Sequence, residues 1–252
     1  MFGRIQPTPY DVCFRIFGIP VRINPFFWLI MVLIGQNFMH TPVSAIAWIL
    51  AALISILAHE MGHALAMRAY GYWPAITLYG FGGVTTCDSN TYGATRTTTS
   101  KIVTTAAGPG VGFTIFGIIL FVKILLLPPG TITLSGIINS KLAVLFTPVA
   151  YTKAPFLNAL IELLFIVNLF WSFLNIMPVL PLDGGQILRD ILVKFFGHKG
   201  LHATLIISVA AAAIIAFFAF HQWRAFFMMI LFIMLAVQNF MALQAYERGQ
   251  RY

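Results

Sequence analysis

The stretch His59-Glu60-Met61-Gly62-His63 lies in a long apolar run, from about Ala45 to Ala69, that holds no other acidic residue. On an α-helix, residues four positions apart share a face, so His59 and His63 direct two imidazoles to one point. Glu60 follows His59 and can reach a water molecule on a metal ion held there. Two ligands and a general base in five residues are typical of zinc hydrolases. The alternative is two core histidines with a stray carboxylate, but a carboxylate in hydrocarbon costs about 2.5–3.5 kcal/mol.

The composition predicts an integral membrane protein. Hydrophobic residues make up 60% of the 252 residues and charged residues only 9%, and the mean hydropathy is +0.89. A soluble domain of this length needs more charge on its surface. The net charge of +8 does not indicate a nucleic-acid partner, because the basic residues are scattered and flank apolar segments. We therefore predict one membrane domain over residues 1–252, surrounded by the lipid bilayer.

The apolar segments predict an all-α membrane protein with about six transmembrane helices, because the length accommodates six spans of roughly 20 residues. Short alternation from Phe14 to Ile23 predicts a strand or an interfacial hairpin before the first span. A short amphipathic helix is expected from Gln186 to Phe196. The six spans run from about Pro25 to Phe38, Ala45 to Ala69, Lys101 to Leu127, Phe156 to Met177, Leu201 to Phe220 and Phe226 to Leu243.

A short membrane-associated β-hairpin is predicted between the second and third spans, from Pro74 to Cys87. Two β-prone runs there flank the turn Gly80-Phe81-Gly82-Gly83. Two interpretations remain open: a plain connection, or a sheet edge that receives an unwound peptide as an added strand. A polar loop is expected from Asp88 to Ser100, and a mixed segment from Thr131 to Pro155 is expected to cover one membrane face.

A second informative stretch runs from Asn175 to Gly185 and contains Pro178, Pro181 and Asp183. The two prolines end the fourth span, and Asp183 stands where the chain can restart as a helix. An aspartate at such a break is often a helix N-cap. However, a catalytic zinc takes three protein ligands, and Asp183 is the best acidic candidate on another segment.

Other polar and small residues within the spans invite interpretation. Gly108 and Gly112 form a small-xxx-small pair that allows close approach of another helix, which we expect to be the metal-bearing one. Glu162 is expected near the membrane edge or in an ion pair, with a water-filled entry as the alternative. Gln238 and Asn239 in the last span either hydrogen-bond across helices or line an entrance gate.

These motifs resemble those of the site-2 proteases, a family of intramembrane zinc metalloproteases. The resemblance covers about Ala45 to Ile191, and the layout is that of a compact form without PDZ or CBS domains. Two departures, Gly112 in place of an Asn and Gln186 in place of an Arg, concern substrate fit rather than metal binding. The matching motifs are His59-Glu60-Met61-Gly62-His63, Gly80 to Val84, Gly108-x-x-x-Gly112 and Asn175-x-x-Pro178-x-x-x-Leu182-Asp183-Gly184-Gly185.

The resemblance implies a catalytic core over about residues 45–191, with peripheral helices over about 201–243. One Zn2+ per chain would be held by His59, His63 and Asp183, and Glu60 would act as general base. Substrate contacts are expected at Asn175, Gly82 and Gly83, although Asn175 can also be a simple helix-end cap. The implied reaction is hydrolysis within or near the transmembrane segment of a membrane-anchored regulator, such as an anti-sigma factor or a transcription factor precursor.

Two other functions are compatible with these motifs. A catalytically inactive helix-binding relative would not need Glu60, and a metal-dependent transporter would need a polar path that the later spans lack. The expected location is a bacterial or archaeal cell membrane with both termini in the cytoplasm, on the assumption of six spans. The inner side would then hold Arg4, Arg15, Arg22, Arg68, Arg96, Lys101, Arg189, Lys194, Lys199, Arg248 and Arg251, and the outer side Lys123, Lys141, Lys153 and Arg224.

Overall fold

The computed structural model describes residues 7–80, 82–87, 97–126, 149–222 and 225–249. Most of the predicted loop from Asp88 to Ser100 and of the predicted surface segment from Thr131 to Pro155 lies outside these ranges. In chain order the elements are β1 (Val12–Ile16), β2 (Ile19–Ile23), α1 (Pro25–Ile34), α2 (Pro42–Ala69), β3 (Pro74–Tyr79), β4 (Gly82–Cys87), α3 (Thr98–Leu126), α4 (Pro155–Asn175), α5 (Asp183–Phe196), α6 (His198–His221) and α7 (Phe226–Gly249).

Among the described residues, five helices are long and apolar enough to cross a membrane: α2, α3, α4, α6 and α7. Each has at least 21 residues, and a span needs roughly 20. The prediction of an integral membrane protein is therefore confirmed. The span predicted from Pro25 to Phe38 is not among these long helices. The fold is mostly helical with a small β-sheet, rather than all-α with one hairpin.

The predicted first span, from Pro25 to Phe38, is only a ten-residue helix followed by a 3-10 turn. Asn24 caps α1 by accepting a hydrogen bond from the Phe26 N–H at 3.1 Å. The helix ends at Gly35, where a Cβ would overlap the Trp48 indole. Trp48 Nε1 also donates to the Met31 carbonyl at 2.8 Å, so α1 lies against the first half of α2.

The sheet joins two segments that are distant in the sequence. Its strand order is β1-β2-β3-β4, with antiparallel pairs at both sides and a parallel β2–β3 pair in the middle. Along β2 the buried residues Ile19, Val21 and Ile23 alternate with residues of the opposite face. Together with Ile76 and Leu78 they pack against α2. The apolar face thus fixes the register, because a one-residue slip would turn every side chain over.

The sheet lies along α2. At its base, Arg68 near the end of α2 donates to the Phe17 carbonyl at 2.6 Å. At its tip, Gly83 lies against the Glu60 side chain. The Asn24 N–H donates to the Leu78 carbonyl at 2.9 Å, so α1 starts at the depth of this tip.

Helix α3 packs closely against both α2 and α4. A Cβ at Gly62 of α2 would lie 2.6 Å from the Ala107 carbonyl oxygen of α3. Gly108 faces α2 as expected, whereas Gly112 faces Ser172 of α4. The small residues of α3 therefore let it lie between the two helices that carry the polar motifs.

Candidate metal centre

Helix α2 presents His59, Glu60 and His63 deep in the protein. A capping box starts the helix, since the Ser44 N–H donates to the Thr41 hydroxyl and the Thr41 N–H donates to the Ser44 hydroxyl. The three motif side chains are all buried. The Nε2 atoms of His59 and His63 lie 3.2 Å apart, as expected for residues four apart on one helical face.

Asp183 is brought to these imidazoles by the break after α4. Its Oδ2 lies 3.1 Å from His59 Nε2 and 3.3 Å from His63 Nε2. Asp183 is the first residue of α5 and does not act as an N-cap, because Leu182 occupies that position and makes no side-chain cap. A Cβ at Gly184 would overlap the Ile176 carbonyl. The glycine therefore allows α5 to begin directly against the end of α4.

The donor set suits a zinc ion. With bond lengths of about 2.0–2.1 Å, two ligands of a tetrahedral zinc are about 3.3–3.4 Å apart. The three atoms of His59, His63 and Asp183 are 3.1–3.3 Å apart. His63 Nδ1 donates to the Thr104 carbonyl at 2.8 Å, so the Nε2 of the neutral ring carries the lone pair that faces Asp183. Lone pairs that converge in this way call for a cation.

Helix α3 forms one wall of the metal centre. Thr104 supplies the carbonyl that orients the His63 ring, and a Cβ at Gly108 would overlap that ring. The two residues are four apart and share a face of α3. Only glycine leaves room for the imidazole here, which explains the small-residue motif beyond general helix packing.

Strand β4 positions Glu60 beside the three donor atoms. The Thr85 hydroxyl lies 2.7 Å from Glu60 Oε2 and 3.1 Å from the Glu60 carbonyl, as a donor to either oxygen. A Cβ at Gly83 would overlap the Glu60 carboxylate. The side chains of His59, Glu60 and His63 each place one ligand atom within 4.8 Å of the others. The Asp183 Oδ2 lies closer to both imidazole nitrogens, at 3.1 and 3.3 Å, so Asp183 is the nearer candidate for a third ligand.

Thr85 and Thr104 were not singled out by sequence reasoning. Thr85 is two residues after Gly83, so both point to the same face of β4. The spacing alone does not indicate which element this face of β4 contacts, and the structure shows that it contacts Glu60 of α2. Thr104 acts through its backbone carbonyl, which no side-chain pattern reveals.

A cavity of about 1490 Å³ opens beside the metal centre. Gly83 and Asn175 line it, together with residues of the sheet, α4, α5 and α7. Asn175 Nδ2 donates to the Trp171 carbonyl at 2.9 Å, which is the helix-end role considered for it. Gly82 has φ 122° and lies under the Trp171 ring, where a Cβ would be 2.7 Å from the ring. Of the three predicted substrate contacts, Gly83 and Asn175 thus face the cavity, whereas Gly82 packs against Trp171.

Comparisons with known proteins identify the family. The sequence profile of Peptidase family M50 matches residues 47–219. The chain is 29% identical over 199 residues to the "Putative zinc metalloprotease" of Synechocystis sp., covering 73% of this chain and 44% of the relative. It is 28% identical over 187 residues to a zinc metalloprotease of Methanocaldococcus jannaschii, covering 73% of this chain and 46% of the relative. The chain thus spans about half the length of the curated relatives it matches.

A solved structure with the same fold is the site-2 protease from Methanocaldococcus jannaschii. The TM-score is 0.58 with 24% identity, and the match covers 93% of this chain and 95% of the other. The relatives and the donor set together indicate Zn2+ as the metal. Because the family profile covers more than half of the chain, the resemblance noted in the motifs is confirmed. The chain belongs to peptidase family M50, the site-2 protease family of zinc metalloproteases.

Proposed function

We propose that the protein is an intramembrane zinc metalloprotease that hydrolyses a peptide bond within or near the transmembrane segment of a membrane-anchored protein. One observation carries the proposal. Two imidazole nitrogens and a carboxylate oxygen converge within 3.3 Å, next to a buried Glu60 and a large cavity. This arrangement provides three metal ligands and a separate base on apolar helices.

The proposed metal ligands are His59, His63 and Asp183, and a zinc ion bound there supplies a Lewis acid for an amide carbonyl and for water. Glu60 takes a proton from the attacking water and later delivers it to the leaving amine. Thr85 donates to Oε2 of Glu60, which holds the carboxylate in one orientation and leaves Oε1 for the proton. The burial of these side chains limits the entry of bulk water.

The proposed substrate lies as an extended strand beside β4. β4 is an edge strand, and Gly83 and Thr85 of β4 line the cavity next to Glu60. A peptide that adds to this edge would satisfy its backbone hydrogen bonds in a region without bulk water. Asn175 faces the same cavity and is proposed to donate to the substrate carbonyl once it exchanges its bond to Trp171. Gly82 is proposed to contribute through the turn that it forms.

Both termini are proposed to lie in the cytoplasm of a bacterial or archaeal cell. Five long helices that cross in alternation bring the end of α7 to the side on which α2 ends, and the N-terminus is proposed to share that side. That side carries Arg15, Arg68 and Arg189, in agreement with the positive-inside rule. The site lies in the second half of α2 and is therefore nearer to the cytoplasmic side. The proposed substrates are anti-sigma factors or membrane-anchored transcription factors.

The substitution Glu60→Gln tests the proposed reaction. A membrane-anchored reporter with a helix-breaking residue in its span serves as substrate, and zinc content is measured in parallel. We expect cleavage to fall about 10²–10⁴-fold, because the base is lost, while zinc is retained. Glu247→Gln, at an exposed glutamate near the end of α7, is the matched control. Undiminished cleavage in Glu60→Gln would refute the hydrolase mechanism, and an inactive wild type that binds both zinc and substrate would favour a non-catalytic helix-binding protein.

A further inference from the structure

The loop that delivers Asp183 is held by two helices outside the motifs. Pro178 and Pro181 interrupt the helix, so the backbone groups between them lose their helical partners. The Leu180 N–H donates to the Ser208 hydroxyl of α6 at 3.1 Å. The Leu180 carbonyl accepts from Asn239 Nδ2 of α7 at 2.6 Å. Both polar groups of one residue are thus bonded to side chains of distant helices.

Both of these side chains are buried and hydrogen-bonded to the backbone of the loop. Ser208 is 0% exposed and Asn239 is 4% exposed, in helices that are predominantly apolar. The second hydrogen of Asn239 Nδ2 is bonded to the Leu235 carbonyl at 2.8 Å within its own helix, which orients the amide toward Leu180. An unsatisfied backbone group inside a membrane protein costs several kcal/mol, so these bonds hold the loop in one place.

Apolar packing around Val179 also holds the loop in place. Val179, next to Leu180, is fully buried in a cluster with Ala212 and Ala216 of α6 and Phe232 and Leu235 of α7. The only polar contacts that cross between this loop and the two helices, among the described residues, are those of Ser208 and Asn239. The loop therefore has a fixed depth relative to α6 and α7.

We propose that Ser208 and Asn239 are positioning residues for the metal centre: they clamp Leu180 and thereby hold Asp183 against His59 and His63. Asp183 is three residues after Leu180, and the chain between them turns tightly, with the Leu182 N–H donating to the Val179 carbonyl at 2.8 Å. A displacement of Leu180 therefore moves the carboxylate. This inference rests on the proposed zinc site, and it gives α6 and α7 a role in metal binding.

The test measures zinc affinity by competition with a chromophoric chelator in detergent. Asn239→Leu and Ser208→Ala each remove one side of the clamp. We expect each to raise the zinc dissociation constant about 10-fold, at the lower end for residues that support a ligand. Two controls are matched: Gln238→Leu alters the neighbouring polar residue, and Thr204→Val alters a buried hydroxyl that donates to the Gly200 carbonyl of its own helix. Both should stay within about 2-fold of the wild type.

A double-mutant cycle separates positioning from general stability. In an Asp183→Ala background the residual zinc affinity should not change when Asn239→Leu is added, because the carboxylate that the clamp positions is gone. A further 10-fold loss in that background would refute the proposal, as would wild-type affinity in both clamp variants. Failure of both clamp variants to fold, with normal folding of both controls, would also refute it. A wild type that binds no zinc would instead refute the proposed function.

Discussion

Two buried polar clusters in this protein have opposite chemistry. The proposed metal centre (His59, His63 and Asp183) brings together two imidazole nitrogens and a carboxylate oxygen. The ion-pair cluster joins Lys123 of α3 to Glu162 of α4, with Lys123 Nζ at 3.0 and 2.8 Å from the two carboxylate oxygens. The first cluster needs a cation from outside the chain, and the second contains its own.

The ion-pair cluster is satisfied in every direction that the described residues show. Glu162 also accepts hydrogen bonds from the Tyr151 hydroxyl at 3.1 Å and from the Val149 N–H at 3.2 Å. Lys123 is 0% exposed and lies 4.9 Å from the centre of the Phe165 ring. Of the alternatives considered for Glu162, the structure thus shows the ion pair. A carboxylate on a membrane helix indicates function only when its partners leave a charge or a lone pair unsatisfied.

The largest expected effect is the loss of zinc affinity when the Asp183 carboxylate is removed from the proposed metal centre. Asp183→Ala should weaken zinc binding by more than about 100-fold, because a direct ligand exceeds the effect of an outer-shell partner. The stability of the zinc-free protein should change little. Chelator competition and thermal melting in detergent measure the two quantities. Asp190→Ala, on the same helix and paired with the adjacent Arg189, is the control. Unchanged zinc affinity in Asp183→Ala would contradict the ligand assignment.

The ion-pair cluster should respond in the opposite way. Lys123→Met leaves the partly exposed Glu162 carboxylate without its cation, which we expect to cost up to about 3 kcal/mol of stability. The double variant Lys123→Met/Glu162→Leu should regain most of this loss, because no charge remains. Denaturation in detergent measures the stability, and zinc affinity of the folded fraction should equal that of the wild type. A loss of zinc affinity without a loss of stability would join the two clusters into one functional unit.

A smaller effect is expected from a methyl group at the wall of the metal centre. Gly108→Ala places a Cβ on the His63 ring, so the ring must shift, and zinc affinity should fall about 10-fold. Gly110→Ala is the matched control on the same helix, because a Cβ there meets no atom within 4 Å. Alanine favours the helix at both positions, so a decrease only at 108 isolates the contact with His63. Equal zinc affinity in both variants would contradict this packing.

The smallest effect is expected at a third polar cluster, around Asp11, which lies beside Asn24 at the start of α1. Hydrogen bonds from Thr8, strengthened by the nearby Arg22, hold the pKa of the Asp11 carboxyl below its usual 3.8. A lowered folded-state pKa contributes stability above the unfolded value, and this contribution is lost as the pH falls below 3.8. Asp11→Asn should therefore lower the melting temperature of zinc-free protein at pH 7 by no more than about 3 °C, with the difference shrinking as the pH falls below 3.8. A difference that grows on acidification would contradict this assignment.

The fold was only partly predictable, and the sheet shows why. The two β-prone segments were visible separately as Phe14 to Ile23 and Pro74 to Cys87. Their parallel pairing, Val21 with Ile76 and Ile23 with Leu78, was not predicted. Neither segment specifies its partner locally, because both are short apolar runs that any similar strand could match. The pairing follows from burial of both against α2, and α1 begins beside the end of β3, where the Asn24 N–H bonds to the Leu78 carbonyl.

The candidate site was likewise only partly predictable from the sequence. The sequence pointed to His59, Glu60, His63 and Asp183, whereas Thr85, Ser208 and Asn239 acquire their roles only through contact. A hydroxyl or an amide on an apolar helix has many possible partners. Ser208 and Asn239 meet Leu180 because α6 and α7 pack on both sides of Val179.

By itself, the sequence determined that this protein lies in a membrane and predicted that one apolar helix carries two metal ligands and a base. Those properties depend on composition and on the 3.6-residue period of the helix, which act locally. Only the tertiary structure decided that Asp183 comes within 3.1–3.3 Å of both imidazoles and that β4 lies against Glu60. These close contacts depend on glycines, where a Cβ would overlap a neighbouring atom. They also depend on side chains of distant helices that hydrogen-bond the backbone of the loop before Asp183.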